Sequence, residues 1–279
     1  MKPLVKNIKI SRVASSKAER KDDLLAVEEP LEIRIGFGEI TNRQQKNLSV
    51  TMRTPGHDIE LAIGFLFTEG IIRSYEQVES AKYCEDVGRQ EEKENVVRVE
   101  LKPEVKLNVE KLQRNFYTTS SCGVCGKSSI DAVKQQCLKL NVNWQTETSL
   151  IHALPQNLRN AQRVFDHTGG LHASGLFNLQ GELVLLREDV GRHNALDKVI
   201  GAMLIKNRLP LSDYMLLVSG RSSFELVQKA ALTGIPLLAA VGAPSSLAVQ
   251  LAQDVNMTLL GFVRDERFNI YSGEERIRV

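Results

Sequence analysis

The chain contains no run of apolar residues approaching the ~20 that cross a bilayer as a helix. Its first residues, Met1-Lys2-Pro3-Leu4-Val5-Lys6-Asn7, lack the sustained apolar core of a signal peptide. A cytoplasmic protein without membrane contact is therefore expected. Charge of one sign is not in excess either: 36 basic and 34 acidic residues leave a net charge of +2, which argues against a broad nucleic-acid footprint but leaves room for local anion sites. There is no G-x-x-x-x-G-K-[ST] loop and no G-x-G-x-x-G after a strand pattern, so NTP hydrolysis and dinucleotide-dependent hydride transfer have no support. Cysteine is scarce: there are four, with one C-x-x-C and with Cys84 and Cys137 isolated. No regular disulfide framework is discernible, which suits a reducing compartment. No structural metal is expected, because the C-x-x-C lacks a second such pair.

What the chain does have is 42% hydrophobic content in 279 residues, enough to bury a substantial core in one large domain or two unequal ones. It also has one conspicuous polar stretch, Thr118-Thr119-Ser120-Ser121-Cys122-Gly123-Val124-Cys125-Gly126-Lys127-Ser128-Ser129. The two thiols lie among small or polar residues, so the backbone bends freely and little bulk shields the sulfurs. Ser128 and Asp131 have the spacing of a capping box, and Ile130, Val133 and Leu138 supply an apolar helix face. Cys122 and Cys125 are then expected just before a helix N-terminus, where the helix dipole and Lys127 favour thiolate over thiol. Spacing alone fits metal binding, redox chemistry or sulfur transfer about equally well.

Residues 1 to about 29 are mixed polar and charged and read as a loosely tied arm or an edge strand. Leu31, Ile33, Ile35 and Phe37 alternate with polar or small neighbours. After a turn, Leu48, Val50 and Met52 do the same, which predicts a β-hairpin. Thr54-Pro55-Gly56-His57-Asp58 breaks the sheet, and Asp58 is placed to cap a helix ending near Gly70. A charged stretch, Glu85 to Glu94, reads as a solvated loop before a strand at Val97, Val99 and Leu101. A helix is expected over Asn157 to Phe165. Strands at Leu171 to Phe177 and Glu182 to Leu186 precede a helix from about His193 to Leu204. Strands Tyr214 to Ser219, Ile235 to Val241 and Met257 to Val263 then alternate with helices Ser223 to Leu232 and Ser245 to Val255. Apolar strands without alternation, joined by helices, predict a parallel sheet covered on both faces, with ligands beyond the carboxyl ends of the strands.

Three loops follow those strand ends: Ser219-Gly220-Arg221-Ser222-Ser223, Gly242-Ala243-Pro244-Ser245-Ser246 and Val263-Arg264-Asp265-Glu266-Arg267. Their backbone N–H groups, hydroxyls and guanidiniums suit phosphate oxygens, and the first two lead into helices whose dipoles favour anions. A phosphorylated or nucleotide-like ligand is expected. Another cluster, Arg187-Glu188-Asp189-Val190-Gly191-Arg192-His193-Asn194-Ala195-Leu196-Asp197-Lys198, gathers acids, guanidiniums and an imidazole at a strand-to-helix turn. It reads either as a helix start, with Asp189 as cap and Arg192 solvated, or as a group that orients the thiols or the ligand.

With the cysteine stretch, the Glu188 to Lys198 run and Ser219-Gly220-Arg221-Ser222-Ser223 together, the chain resembles the FdhD family of formate dehydrogenase accessory sulfurtransferases. Glu69-Gly70-Ile71-Ile72, Thr168-Gly169-Gly170-Leu171-His172-Ala173 and Val227-Gln228-Lys229 fit the same pattern. The resemblance implies an α/β fold in which a cytidine-deaminase-like α/β/α core over residues 131–279 follows a smaller N-terminal α+β domain over 1–115 and a mobile C-x-x-C loop over 116–130. It implies a persulfide carrier with Cys122 at the persulfide position and Cys125 beside it as the second catalytic cysteine. Sulfur would come from an IscS-like cysteine desulfurase and pass to a molybdenum cofactor, the bis(molybdopterin guanine dinucleotide) form, before that cofactor enters formate dehydrogenase. Phe262, Val263, Arg264, Asp265, Glu266 and Arg267 match the cofactor-contacting segment, and Ser219, Arg221 and His193 are expected to join it. A homodimer is also implied. The alternative is a non-catalytic chaperone for the same cofactor. Deamination is not implied: the positions compared with H-x-E and P-C-x-x-C read His172-Ala173-Ser174 and Ser219-Gly220-Arg221-Ser222-Ser223, without the acid-base Glu or the thiolate ligands.

Overall fold

The computed structural model describes residues 2–84, 93–107 and 139–279, so the C-x-x-C stretch, the helix expected after it and most of the Glu85 to Glu94 run lie outside the described residues. Of the two readings of the N-terminus, arm or edge strand, strand is the nearer: it forms an antiparallel hairpin of β1 (Val5–Ala14) and β2 (Lys17–Ala26), a two-stranded sheet of its own. Ser15 and Ser16 close it with φ of 47° and 64°, the pair of left-handed residues that a two-residue turn needs to match strand twist.

The second hairpin is where alternation predicts it, as β3 (Glu29–Phe37) and β4 (Gln44–Arg53). Two further strands complete a sheet of order β4-β3-β6-β5: β5 (Val78–Tyr83), which has no clear apolar period, and the expected β6 (Val96–Leu101). Leu31, Ile33, Ile35, Val97, Val99 and Leu101 bury one face of this sheet under α1 (Asp58–Thr68). Asp58 does not cap that helix but is its first residue. Its carboxylate accepts from the fully buried Arg53 at 3.1 and 2.9 Å and from the Tyr83 hydroxyl at 3.1 Å. Burial, and then the Asp58 charge, push the Tyr83 phenol above its usual range.

A two-residue strand, β7 (Thr146–Glu147), leads into the rest of the chain, whose main sheet has the order β13-β12-β11-β10-β8-β9. Its strands are β8 (His172–Asn178), β9 (Leu183–Asp189), β10 (Tyr214–Val218), β11 (Leu237–Ala240), β12 (Thr258–Arg264) and β13 (Arg267–Ser272). Only β10, β11 and β12 are parallel; β8, β9 and β13 pair antiparallel, so the expected parallel sheet is a mixed one. The helices preceding or joining these strands are α2 (Thr148–Ala161), α3 (Arg163–Thr168), α4 (Arg192–Ile205), α5 (Phe224–Leu232) and α6 (Ser246–Asp254). The single helix expected over Asn157 to Phe165 is therefore the end of α2 and the start of α3. Because β10, β11 and β12 lie side by side in chain order, right-handed crossovers put α5 and α6 on the same face. There they join α4 over Leu216, Val218, Leu238 and Leu259, while α2 covers Met215, Leu217, Leu237 and Leu260 on the other face.

The two sheets are coupled by α1 against α4. A Cβ on Gly64 would meet the backbone carbonyl of Asp197, and one on Gly201 the carbonyl of Glu60, so the helices touch main chain to main chain. Two buried ion pairs flank the crossing. Lys229 reaches Asp197 at 2.7 Å and the Thr68 hydroxyl at 2.8 Å; Lys198 reaches Asp189 at 2.7 Å and the Thr54 carbonyl at 2.9 Å. A partner removed from either pair would leave a charge stranded in the interior.

Candidate functional site

The carboxyl ends of β10, β11 and β12 carry the predicted loops, and backbone hydrogen bonds lace them into one shelf. Gly242 N–H donates to the Gly220 carbonyl at 3.0 Å, Ser222 N–H to Ala243 at 3.2 Å, Ser245 N–H to Ser222 at 3.0 Å and Phe262 N–H to Gly242 at 3.2 Å. The glycines are needed because the segments touch. A Cβ on Gly242 would lie 3.0 Å from Arg221 Cγ, and one on Gly261 would lie 2.9 Å from Pro244 Cδ. Ser219 ties the shelf to the start of β8, its hydroxyl accepting from Ala173 N–H at 2.8 Å. Ser223 and Ser245 stand at the N-caps of α5 and α6, so two helix N-termini open at the shelf. The Ser245 hydroxyl accepts from Ala248 N–H at 3.3 Å; that of Ser223 instead faces His193.

The first turn of α4 completes this edge, and the Glu188 to Lys198 run serves chiefly to brace it. The fully buried Asp189 carboxylate accepts from Gly191 N–H at 2.8 Å, Asn194 Nδ2 at 3.0 Å and Thr54 N–H at 3.2 Å, besides its pair with Lys198. Burial outweighs these partners and raises the Asp189 pKa above the usual carboxylate value. So braced, α4 presents Arg192 and His193. His193 Nε2 lies 2.8 Å from Glu225 Oε2 and 3.3 Å from Ser223 Oγ. His172, at the start of β8, lies over Gly220 and is half-buried; burial, followed by the nearby Arg192 and His193, lowers its pKa and favours the neutral ring.

The structure brings Ser219, Arg221, His193 and Phe262 to one edge. Phe262 has a left-handed φ of 55°, an uncommon state for a bulky residue, at a β-bulge in β12. The segment after it is not an open loop. Val263 is fully buried in the core, so its side chain is withheld from any ligand. Arg264 ends β12, Asp265 and Glu266 form a turn with φ of 50° and 56°, and Arg267 begins β13. Arg264, Asp265, Glu266 and Arg267 are thus the exposed tip of a hairpin beyond the shelf. Cys122 and Cys125 lie outside the described residues. His167 and His172 stand at H-x4-H spacing, but no group of three His, Cys, Asp or Glu that could hold a metal occurs among the described residues. Glu225 was not legible as a site residue; its one sequence signal is its place in the first turn after a Ser-rich loop, two residues past Ser223.

A protein-family model described as FdhD/NarQ matches residues 26–278. The chain belongs to the FdhD/NarQ family. Among the relatives of this FdhD/NarQ chain, the sulfur carrier protein FdhD of Streptomyces avermitilis is 49% identical over 278 residues, covering 96% of this chain and 94% of that one. The protein of the same name from Saccharolobus solfataricus is 41% identical over 273 residues, covering 98% of each. A crystal structure of a candidate formate dehydrogenase accessory protein from Desulfotalea psychrophila has the same fold, with a TM-score of 0.77 at 24% identity over 99% of this chain and 100% of that one. Among the described residues of this family member, no helix is long and apolar enough to cross a membrane.

Proposed function

We propose that the chain is a persulfide carrier for formate dehydrogenase. In this reading Cys122 accepts sulfur from an IscS-like cysteine desulfurase and passes it to the molybdenum cofactor, in its bis(molybdopterin guanine dinucleotide) form, before that substrate is inserted into the enzyme. The observation that carries it is the Cys122-x-x-Cys125 pair within the segment that matches the FdhD/NarQ model. Relatives named sulfur carrier protein FdhD support it. The shelf supports the cofactor half, because two helix N-termini, Arg192, Arg221 and His193 suit the phosphates of a dinucleotide, with Phe262 as an adjoining aromatic surface. A cytoplasmic homodimer without a structural metal completes the reading.

We read the main sheet, helices on both faces, as a cytidine-deaminase-like core put to different use. A deaminase needs three His or Cys ligands and an acid-base Glu. Here the residues that meet at the first turns of α4 and α5 are His193, Ser223 and Glu225.

The chemistry is thiol exchange. The Cys122 thiolate attacks the outer sulfur of the desulfurase persulfide, the S–S bond there breaks, the desulfurase thiolate leaves, and Cys122 carries S–SH. Cys125 then attacks the inner sulfur, so the outer one departs as sulfide toward molybdenum. The two cysteines supply the two electrons and become a disulfide, which a cellular dithiol reopens. Intact mass without reductant, after incubation with a cysteine desulfurase and cysteine, tests the first step. One added sulfur that Cys122→Ala abolishes and Cys125→Ala does not is expected. No gain in the wild type, with nucleotide binding intact, would leave the chaperone alternative. Sulfur delivery undiminished in Cys125→Ser would remove the resolving role of Cys125.

A further inference from the structure

No residue of the β1–β2 hairpin joins a hydrophobic core among the described residues. Every residue from Ser11 to Asp23 is exposed, Val13 at 70%, so both faces of the ladder stand bare over that stretch. A two-stranded ladder without a covered face adds no core to the fold, and its side chains are left to make contacts outside it. The FdhD/NarQ match begins at residue 26, the last of β2, so this arm stands outside the segment that carries the cysteines and the shelf.

The charge of the arm is one-sided. Residues 9–21 carry five basic side chains, Lys9, Arg12, Lys17, Arg20 and Lys21, against the single acid Glu19, whereas the rest of the chain has 31 basic and 33 acidic residues. The positive excess of the chain is thus concentrated here. Although Arg12 stands opposite Glu19 and Lys9 opposite Asp22 in the ladder, none of the five forms an ion pair among the described residues. Cations along both strands blunt the edges against a further strand and set like charge against like between two copies of the arm. The contact made here is therefore through side chains and with an acidic surface. Residues 5–26 contain no aromatic, so they offer neither a stacking platform for single-stranded nucleic acid nor an interfacial anchor for a membrane. An acidic protein surface fits best.

The arm is rooted beside the shelf. Val27 N–H donates to the Leu4 carbonyl at 2.9 Å across its base, β2 packs against α3, and a Cβ on Gly170 would lie 3.8 Å from Ala26 Cβ. Two residues further on, His172 lies over Gly220 of the shelf. We propose that the arm docks the recipient of the cofactor, engaging an acidic surface of formate dehydrogenase so that the enzyme is held at the end of the molecule where its cofactor is handed over. The inference rests on the carrier reading above and adds to it the surface that holds the recipient.

The test is equilibrium binding of the full-length protein to formate dehydrogenase produced without its molybdenum cofactor. Reversing three charges together, Lys17→Glu, Arg20→Glu and Lys21→Glu, is expected to weaken binding about tenfold or more at ~50 mM salt and by less at ~300 mM, because salt screens exposed charges. The charge-keeping set Lys17→Arg, Arg20→Lys and Lys21→Arg is expected to bind as the wild type does. All three residues are exposed, so thermal unfolding, sulfur loading by the desulfurase and GDP binding are expected to be unchanged in both sets. Undiminished binding in the reversed variant overturns the proposal. So does a fall in sulfur loading with formate dehydrogenase binding intact, which would assign the arm to the desulfurase, or a smaller oligomer in sedimentation, which would make it an interface between copies. If the wild type does not bind the cofactor-free enzyme, the formate dehydrogenase half of the carrier reading falls and this inference with it.

Discussion

Gly64→Ala tests the main-chain contact on which the placement of α4 rests. In an exposed helix this change is stabilising by about 1 kcal/mol, because alanine is the better helix former. At Gly64 the added Cβ would lie 2.7 Å from the Asp197 carbonyl carbon and closer still to its oxygen, where ordinary contact begins at 3.4 Å. Backbone cannot turn aside as a side-chain tip can, so the helices must part by roughly 1 Å. Overpacking costs about 1–3 kcal/mol and occasionally more, and the strain here belongs at the upper end because Asp197 and Lys198 fix α4 on either side of the contact. After the propensity gain is subtracted, a net loss of about 2 kcal/mol is expected, or roughly 4–8 °C in Tm for a chain of this size.

Thermal and urea unfolding of purified Gly64→Ala, Gly201→Ala and the double variant measure this directly. The two glycines face each other across one crossing, and a Cβ on either is 3.0 or 2.9 Å from the other's backbone nitrogen. Once one substitution has parted the helices the second costs less, so the double variant should lose less than the two singles together. A Tm at or above that of the wild type for Gly64→Ala would refute the contact, since only the helix-propensity gain would then remain.

The other expectations concern charges that join the two sheets. The Arg187 guanidinium binds Glu60 at 2.5 and 2.8 Å across α1 and β9; although burial alone raises the Glu60 pKa, this partner, with His57, brings it down to about 2. A depressed carboxyl contributes stability that is present above its unfolded value of 4.5 and lost as pH falls from there toward 2. Urea midpoints measured across that window should decline with acid, and Arg187→Met should flatten this part of the decline. Lys229→Met should cost about 3–5 kcal/mol, because among the described residues Asp197 keeps only the Thr68 hydroxyl as a charge-stabilising side-chain partner in the interior. Adding Asp197→Asn should recover much of that loss in the same denaturation assay.

How far the sequence could be read follows from how each residue bears its burden. Leu31, Ile33 and Ile35 bury one face of a sheet, so alternation exposes them; Leu216, Leu217 and Val218 are buried on both faces, so the run itself is the signal. The strands β1 and β2 are nearly all exposed and carry no period, and their hairpin is closed by the left-handed Ser15 and Ser16 rather than by glycine. The strand β13 was hidden likewise by Asp265 and Glu266, two acids in left-handed turn positions that read as a charged loop. At the site, hydroxyl-rich loops before helices were legible because they follow strand ends, whereas Glu225 was not. Its meaning depends on His193, 32 residues earlier, and the spatial meeting of α4 and α5 follows from the helix–sheet packing rather than from any local pattern. The same dependence governs Asp189: as a cap it is local, but its pairing with Lys198 and Thr54 joins the N-terminal sheet to the shelf. A change at Thr54 or Asp189 should therefore register at Arg192 and His193, although neither changed residue belongs to the loops of the shelf.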